Sequence, residues 1–140
     1  MKIIGFNFTK ISIQREEKLE KTLNITQNFN IESVKKEKIL ISDIDSLKIK
    51  FNLKINYSEE YAKLEFEGNI ILLPEDNELN NFLEAWKEKK IPENLQEIIF
   101  NFIMNKCNIK ALYLEDELAL PLHLQKFMPR ITIQKDDTTN

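Results

Sequence analysis

Leu47, Ile49, Phe51, Leu53, Ile55 and Tyr57 are each separated by one residue, and the residues between them are Lys48, Lys50, Asn52, Lys54 and Asn56. Strict alternation of this length predicts a β-strand with one face buried and one face wet. After the short stretch "SEE" the pattern resumes at Ala62, Leu64, Phe66, Gly68, Ile70 and Leu72. Upstream, Ile4, Phe6 and Phe8 share one phase, while Ile11 and Ile13 resume in the opposite phase. A slip of this kind inside a strand predicts a bulge at Thr9-Lys10. Leu23, Ile25, Phe29 and Ile31 alternate with polar residues and are interrupted at Gln27; "VKKEK" and "SDIDS" then read as a polar connection. The expectation is four strands in sequential order, antiparallel because short connections favour hairpins.

Pro74 ends this pattern, and the period changes to that of a helix. Leu79, Phe82, Leu83 and Trp86 follow the i, i+3, i+4, i+7 spacing of a single apolar stripe. Asp76 or Asn77 can cap the start of this helix, and Lys87, Lys89 and Lys90 suit its C-terminal end. Pro92 opens a second helix that can run to about Leu118. This helix carries two stripes. Leu95, Ile98, Ile99, Phe102 and Ile103 make the first; Phe100, Met104, Cys107, Ala111, Leu114 and Leu118 make the second. A helix packed on one sheet needs only one apolar stripe. The second calls either for cover from within the chain or for a subunit interface, for which Phe100, Met104, Cys107, Ala111 and Leu114 are the candidates. Pro121 stops the helix. "LPLHLQKFMPRITI" reads as an extended apolar segment in which Ile131 and Ile133 could pair at an edge. Residues 1–134 read as one domain and 135–140 as a polar C-terminal tail.

Composition narrows the function classes. The 140 residues are 42% hydrophobic and 31% charged, with a net charge of −3. That is ordinary for a globular domain and gives no electrostatic footprint for nucleic acid. Only Gly5 and Gly68 are glycines, so no Gly-rich phosphate loop can be built. The single cysteine, Cys107, excludes an intramolecular disulfide and fits a reducing compartment. "MKIIGFNFTK" turns polar too early for a signal peptide, and no apolar run approaches the roughly 20 residues of a membrane span. The expected location is the cytoplasm.

No constellation for catalysis emerges. His123 is the only histidine, whereas a general base needs a positioned partner and a metal site needs several ligands. A structural or surface role is the favoured reading for it. Cys107 falls within a helical stripe and reads as a small buried apolar residue. "EDNE" and "EDE" read as turn and helix-end clusters. Lys48, Lys50 and Lys54 line a solvated sheet face without interleaved aromatics, so an RNA-stacking platform is not expected. The protein reads as a non-enzyme with no cofactor and no metal.

The order of parts resembles the SecB-type export chaperones. "FNFTKISIQRE" is similar to the first strand of that family, "LKIKFNLKINYSEEYAKLEFEGNIILL" to its central hairpin with a late glycine, and "LHLQKFMPRITI" to its apolar Pro segment. "CNIKAL" and "LPLHL…MPRI" also resemble an archaeal group of small SecB-like proteins. The likeness covers roughly residues 4 to 133, in pattern more than in identity. It implies an α+β fold, a four-stranded antiparallel sheet followed by a short and a long C-terminal helix. It also implies a homotetramer built as a dimer of dimers, and an ATP-independent holdase for unfolded polypeptides with a role in protein transport. The candidate client-binding residues are then Phe6, Phe8, Leu122, Leu124, Phe127 and Met128. Two departures, a Lys-rich strand face where the family is acidic and a shortened first helix, argue against docking to an export motor. The alternative is an interaction or assembly module with one dedicated partner, ribosome-associated or linked to a toxin–antitoxin pair.

Overall fold

The structure is a computed structural model and describes residues 1–19, 22–40, 43–75 and 77–124. Four strands, β1 (Lys2–Arg15), β2 (Ile25–Lys38), β3 (Asp45–Tyr57) and β4 (Ala62–Leu73), form one antiparallel sheet. A four-residue turn, α1 (Ser58–Tyr61), joins β3 to β4, and the helices α2 (Glu78–Lys87) and α3 (Glu93–Glu117) follow.

The strands are not in sequential order. They lie β1-β4-β3-β2, so the first two strands of the chain occupy opposite edges. Hydrophobic period reports which face of a strand is buried and is silent on its neighbours. The short β2–β3 and β3–β4 connections occupy both edges of β3, and β1 is left to pair with the outer edge of β4. The described residues that follow β1 and precede β2 meet α1 at the end of the sheet. There Glu16 donates its amide to the Tyr61 carbonyl at 2.8 Å, and Ser58 exchanges hydrogen bonds with Thr22 and Asn24.

The register of β1 on β4 slips between Phe8 and Lys10, where the phase change predicts a bulge. A second slip, between Ile3 and Gly5, leaves Ile4 as the surplus residue, 42% exposed and out of the row that Phe6 and Phe8 continue. "VKKEK" is not a connection. It is the second half of β2, running from Val34 opposite Ile49 to Lys38 opposite Asp45. A slip between Ile31 and Ser33 shifts the phase, so that Val34 is buried three residues after Ile31. The charges around it suit an edge strand, where they discourage pairing with other chains.

One face of the sheet carries the core, with β3 and β4 contributing Leu47 to Tyr57 and Ala62 to Leu72 at alternate positions. Phe82 of α2 and the inner row of α3 close over it. That row is Leu95, Ile99, Ile103, Cys107 and Ala111, one residue in every four. Each four-residue step overshoots a full turn by about 40°, so the row winds round the helix. The two stripes of the sequence are therefore two halves of one buried row. Cys107 and Ala111 are fully buried against the chain's own sheet, which removes them from the expected interface set. What the winding row leaves outside is Phe100 and a separate outward face bearing Ile98, Ile109 and Tyr113, which are 53%, 71% and 62% exposed.

The other face of the sheet is polar. Lys50 pairs with Glu32 and Lys48 with Glu37. Lys10 Nζ sits 2.9 Å from Glu65, whose carboxyl is held below the usual range by that ammonium, with Lys54 and Lys63 adding to the effect. These lysines are spent on cross-strand pairs rather than gathered into a free cationic surface.

Candidate partner-binding groove

Seven of the nine phenylalanines touch one another. The rings of Phe29, Phe51 and Phe6 stack in a row across the sheet, with centroids 6.5 and 5.6 Å apart. Helix α3 lies over this row and drops Phe100 edge-on against Phe29 at 5.2 Å and Phe102 against Phe6 at 5.9 Å. Offset and edge-on contacts of this kind are favourable and directional, so the row holds its shape.

Where the row reaches β2 it opens to solvent. A groove of about 530 Å³ runs between β2 and the start of α3, lined by Phe29, Ile31, Ile91, Ile99 and Phe100, with Glu93, Gln96 and Glu97 at the rim. Ile99 is almost wholly buried and forms the floor; Phe100 is 43% exposed and forms a lip. Gln96 is fixed by donating to the Ile91 carbonyl at 2.8 Å. The groove is of the size that commonly accepts a few side chains. Beside it runs the outer edge of β2, which has no strand neighbour on that side among the described residues. Residues 25–31 of that edge, "ITQNFNI", carry no charge. A long uncharged edge is what soluble proteins ordinarily avoid.

The far end of α3 holds the polar cluster of the interior. Glu115 is fully buried and receives the Tyr57 hydroxyl and the His123 amide, the latter at 2.9 Å. His123 Nδ1 lies 2.6 Å from the other carboxylate oxygen, and Nε2 lies 2.9 Å from Asn108 Oδ1. Burial, and then the neighbouring carboxylate, push the Tyr57 hydroxyl upward, so it stays a donor. None of these residues lines the groove between β2 and α3. His123 is an anchor for the chain after α3. Cys107 is fully buried, and burial pushes its thiol up to about 12, away from the reactive thiolate form. Among the described residues there is no group of three or more His, Cys, Asp or Glu placed to hold a metal ion. Among them, too, no helix is long and apolar enough to cross a membrane.

Of the expected client-contact residues, Phe6 and Phe8 are half-buried members of the aromatic row, and Leu122 and Leu124 are half-buried beyond α3. Phe127 and Met128 lie outside the described residues, as do Ile131, Ile133 and the polar tail. Phe100 lies on the groove, while Met104 and Leu114 are half-buried flanks of the inner row. Phe29, Ile31 and Ile91 were not expected at a site. The uncharged run around Phe29 is the signal that points to Phe29 and Ile31.

This architecture matches a solved one, the SecB-like chaperone Rv1957 of Mycobacterium tuberculosis in complex with a ChAD peptide from the antitoxin Rv1956 HigA1. The match spans 94% of this chain and 92% of that one, with a TM-score of 0.53 and 15% identity. The fold is SecB-like. It is the α+β arrangement expected, a four-stranded antiparallel sheet followed by a short and a long helix. No protein-family model matches the chain, and no curated protein matches it. At this identity the SecB-like likeness is one of fold alone.

Proposed function

We propose that the protein is an ATP-independent holding chaperone that takes up extended apolar segments of other polypeptides in the groove between β2 and α3. The observation that carries this reading is the meeting of an open apolar groove with an uncharged strand edge that is unpaired among the described residues. An extended segment can add its backbone to such an edge and seat alternate side chains beside it. Phe29, Ile31, Ile91 and Phe100 supply the apolar contact, and Glu93 and Glu97 keep the mouth wetted. The solved SecB-like chaperone bound to a peptide lends support to a peptide-holding role.

The test is light scattering from a chemically denatured client diluted into buffer without nucleotide. The protein is expected to suppress aggregation near stoichiometric ratios, and Phe100→Glu is expected to lose most of that effect with an unchanged circular dichroism spectrum. Aggregation that proceeds unchanged at a large molar excess of the parent protein would overturn the reading.

A second reading has a specific observation behind it. The groove is small, and the peptide in the solved SecB-like complex comes from one antitoxin. The protein would then be an assembly module for one dedicated partner. Native mass spectrometry of the purified complex separates the two, because a dedicated partner gives one fixed stoichiometry.

The proposal includes self-association in the cytoplasm. Ile98, Ile109 and Tyr113 form an outward face of α3 that a second copy can cover. The expected solution mass by light scattering is about four times 16.6 kDa, consistent with a dimer of dimers; a monodisperse monomer removes this part.

A further inference from the structure

The polypeptide does not leave α3 freely. Ala119 takes a left-handed φ of 51°, and the Leu120 amide folds back onto the Glu115 carbonyl at 2.8 Å. Arg15, at the end of β1, donates Nη1 to the Leu118 carbonyl at 2.6 Å and reaches that of Ala119 at 3.3 Å. Leu120 is then buried in the core, and the His123 imidazole is fully enclosed. A non-glycine residue in the left-handed region is strained by about 1 kcal/mol, so something must hold the reversal in place.

What holds it is one carboxylate. Glu115 has three hydrogen-bonding contacts, two of them with His123, through its amide and through Nδ1. The third is with Tyr57 of β3. Asn108, two turns earlier on α3, holds the far ring nitrogen. Apolar residues of the same size would fill this space with no desolvation cost, and replacing buried polar pairs in that way is commonly neutral or stabilising. A polar cluster behaves differently from an apolar one in a single respect. It has two states, fully satisfied or opened to water, because a half-satisfied buried carboxylate is worse than either.

We propose that residues 119–124 form a detachable strap, with Glu115 as its catch. In the closed state His123 seats on Glu115 and Asn108, and Leu120 completes the core over the C-terminal half of α3. In the open state the imidazole and the Glu115 carboxylate are both hydrated, the strain at Ala119 is released, and Tyr57 still caps the carboxylate from below. Among the described residues Arg15 is the cation placed on the reversal, and it holds carbonyls rather than the catch, so it keeps the base of the strap attached. The strap lies at the end of α3 remote from the β2 groove. It regulates access to a second apolar surface, that around Leu120, and does not depend on the holding function.

Amide hydrogen exchange on the full chain tests this. In the parent protein the Leu120 and His123 amides are expected to exchange faster than those of Phe51 and Phe66, through an opening that leaves the sheet closed. His123→Ala is expected to raise exchange at Leu120 by about tenfold or more, the consequence of leaving a buried acceptor unpaired, with the Phe51 and Phe66 amides unchanged. The double substitution Glu115→Leu with His123→Leu, which replaces the catch by an apolar contact, is expected to slow Leu120 exchange below the parent level. If the strap amides in the parent are as protected as those of Phe51 and Phe66, the strap is part of the global core and the proposal is wrong. The same conclusion holds if His123→Ala accelerates sheet and strap amides together, or leaves Leu120 unchanged. The parent measurement decides even if the variants fail to fold.

Discussion

Phe51→Ala is expected to lower the unfolding free energy by about 3–5 kcal/mol, the range for truncating a fully buried phenylalanine. The ring is entirely buried and is the middle of the stacked row, between Phe6 and Phe29. Removing it leaves a void with rigid walls, since β1, β3 and β2 are held by their ladders and cannot close inward. Phe29 loses the ring beneath it, and with that the groove loses the support that fixes its wall. A denaturant titration checks the first effect; the second appears as weakened client capture at a temperature where the variant is still folded. A midpoint close to that of the parent would show that the row is not the mechanical centre of the fold.

Gly68→Val is expected to be as damaging for the opposite reason. A Cβ built at Gly68 would lie 2.4 Å from the Asn7 carbonyl oxygen and 2.8 Å from Phe51 Cζ. Real carbons do not approach a backbone oxygen that closely, and β1 cannot move away without giving up its register at the Phe8–Lys10 bulge. Overpacking a core costs about 1–3 kcal/mol, occasionally more, and valine adds two methyl groups to the clash. Combining Gly68→Ala with Phe51→Leu is expected to cost less than the sum of the two, because the smaller side chain relieves one of the overlaps. Additive costs would mean that the β1 backbone alone sets the requirement for glycine.

The sequence was most readable where one physical constraint acts alone. β3 and β4 lie in the middle of the sheet with one face buried along their whole length, and their alternation is unbroken. The bulge at Thr9 was readable because it changes the phase of large residues. The slip at Ile31–Ser33 was not, because the residues that follow are charged and only Val34 reports the new phase. Strand order was hidden because the residues that pack β1 against β4 are the same residue types that would pack it anywhere. The winding row of α3 looked like two faces because a pattern read at fixed angle splits when the helix crosses its support obliquely. The Glu115–His123 contact depends on the reversal at Ala119, which no residue type there announces. Counting histidines therefore favoured a structural role for His123 and could not foresee its partners.

The strand order has a consequence for how the chain is made. Lys2 pairs with Leu73 and Arg15 with Ala62, so β1 has no neighbour in the sheet until β4 exists. During synthesis β1 emerges before β4, its neighbour in the sheet, so Phe6, Phe8 and Ile13 wait for that strand. Strands β2, β3 and β4 can zip locally, one hairpin after another, whereas closing β1 requires a loop spanning most of the sheet. Assembly of the sheet should therefore be limited by the return of its own N-terminal strand, which spends that interval as an unfolded apolar segment.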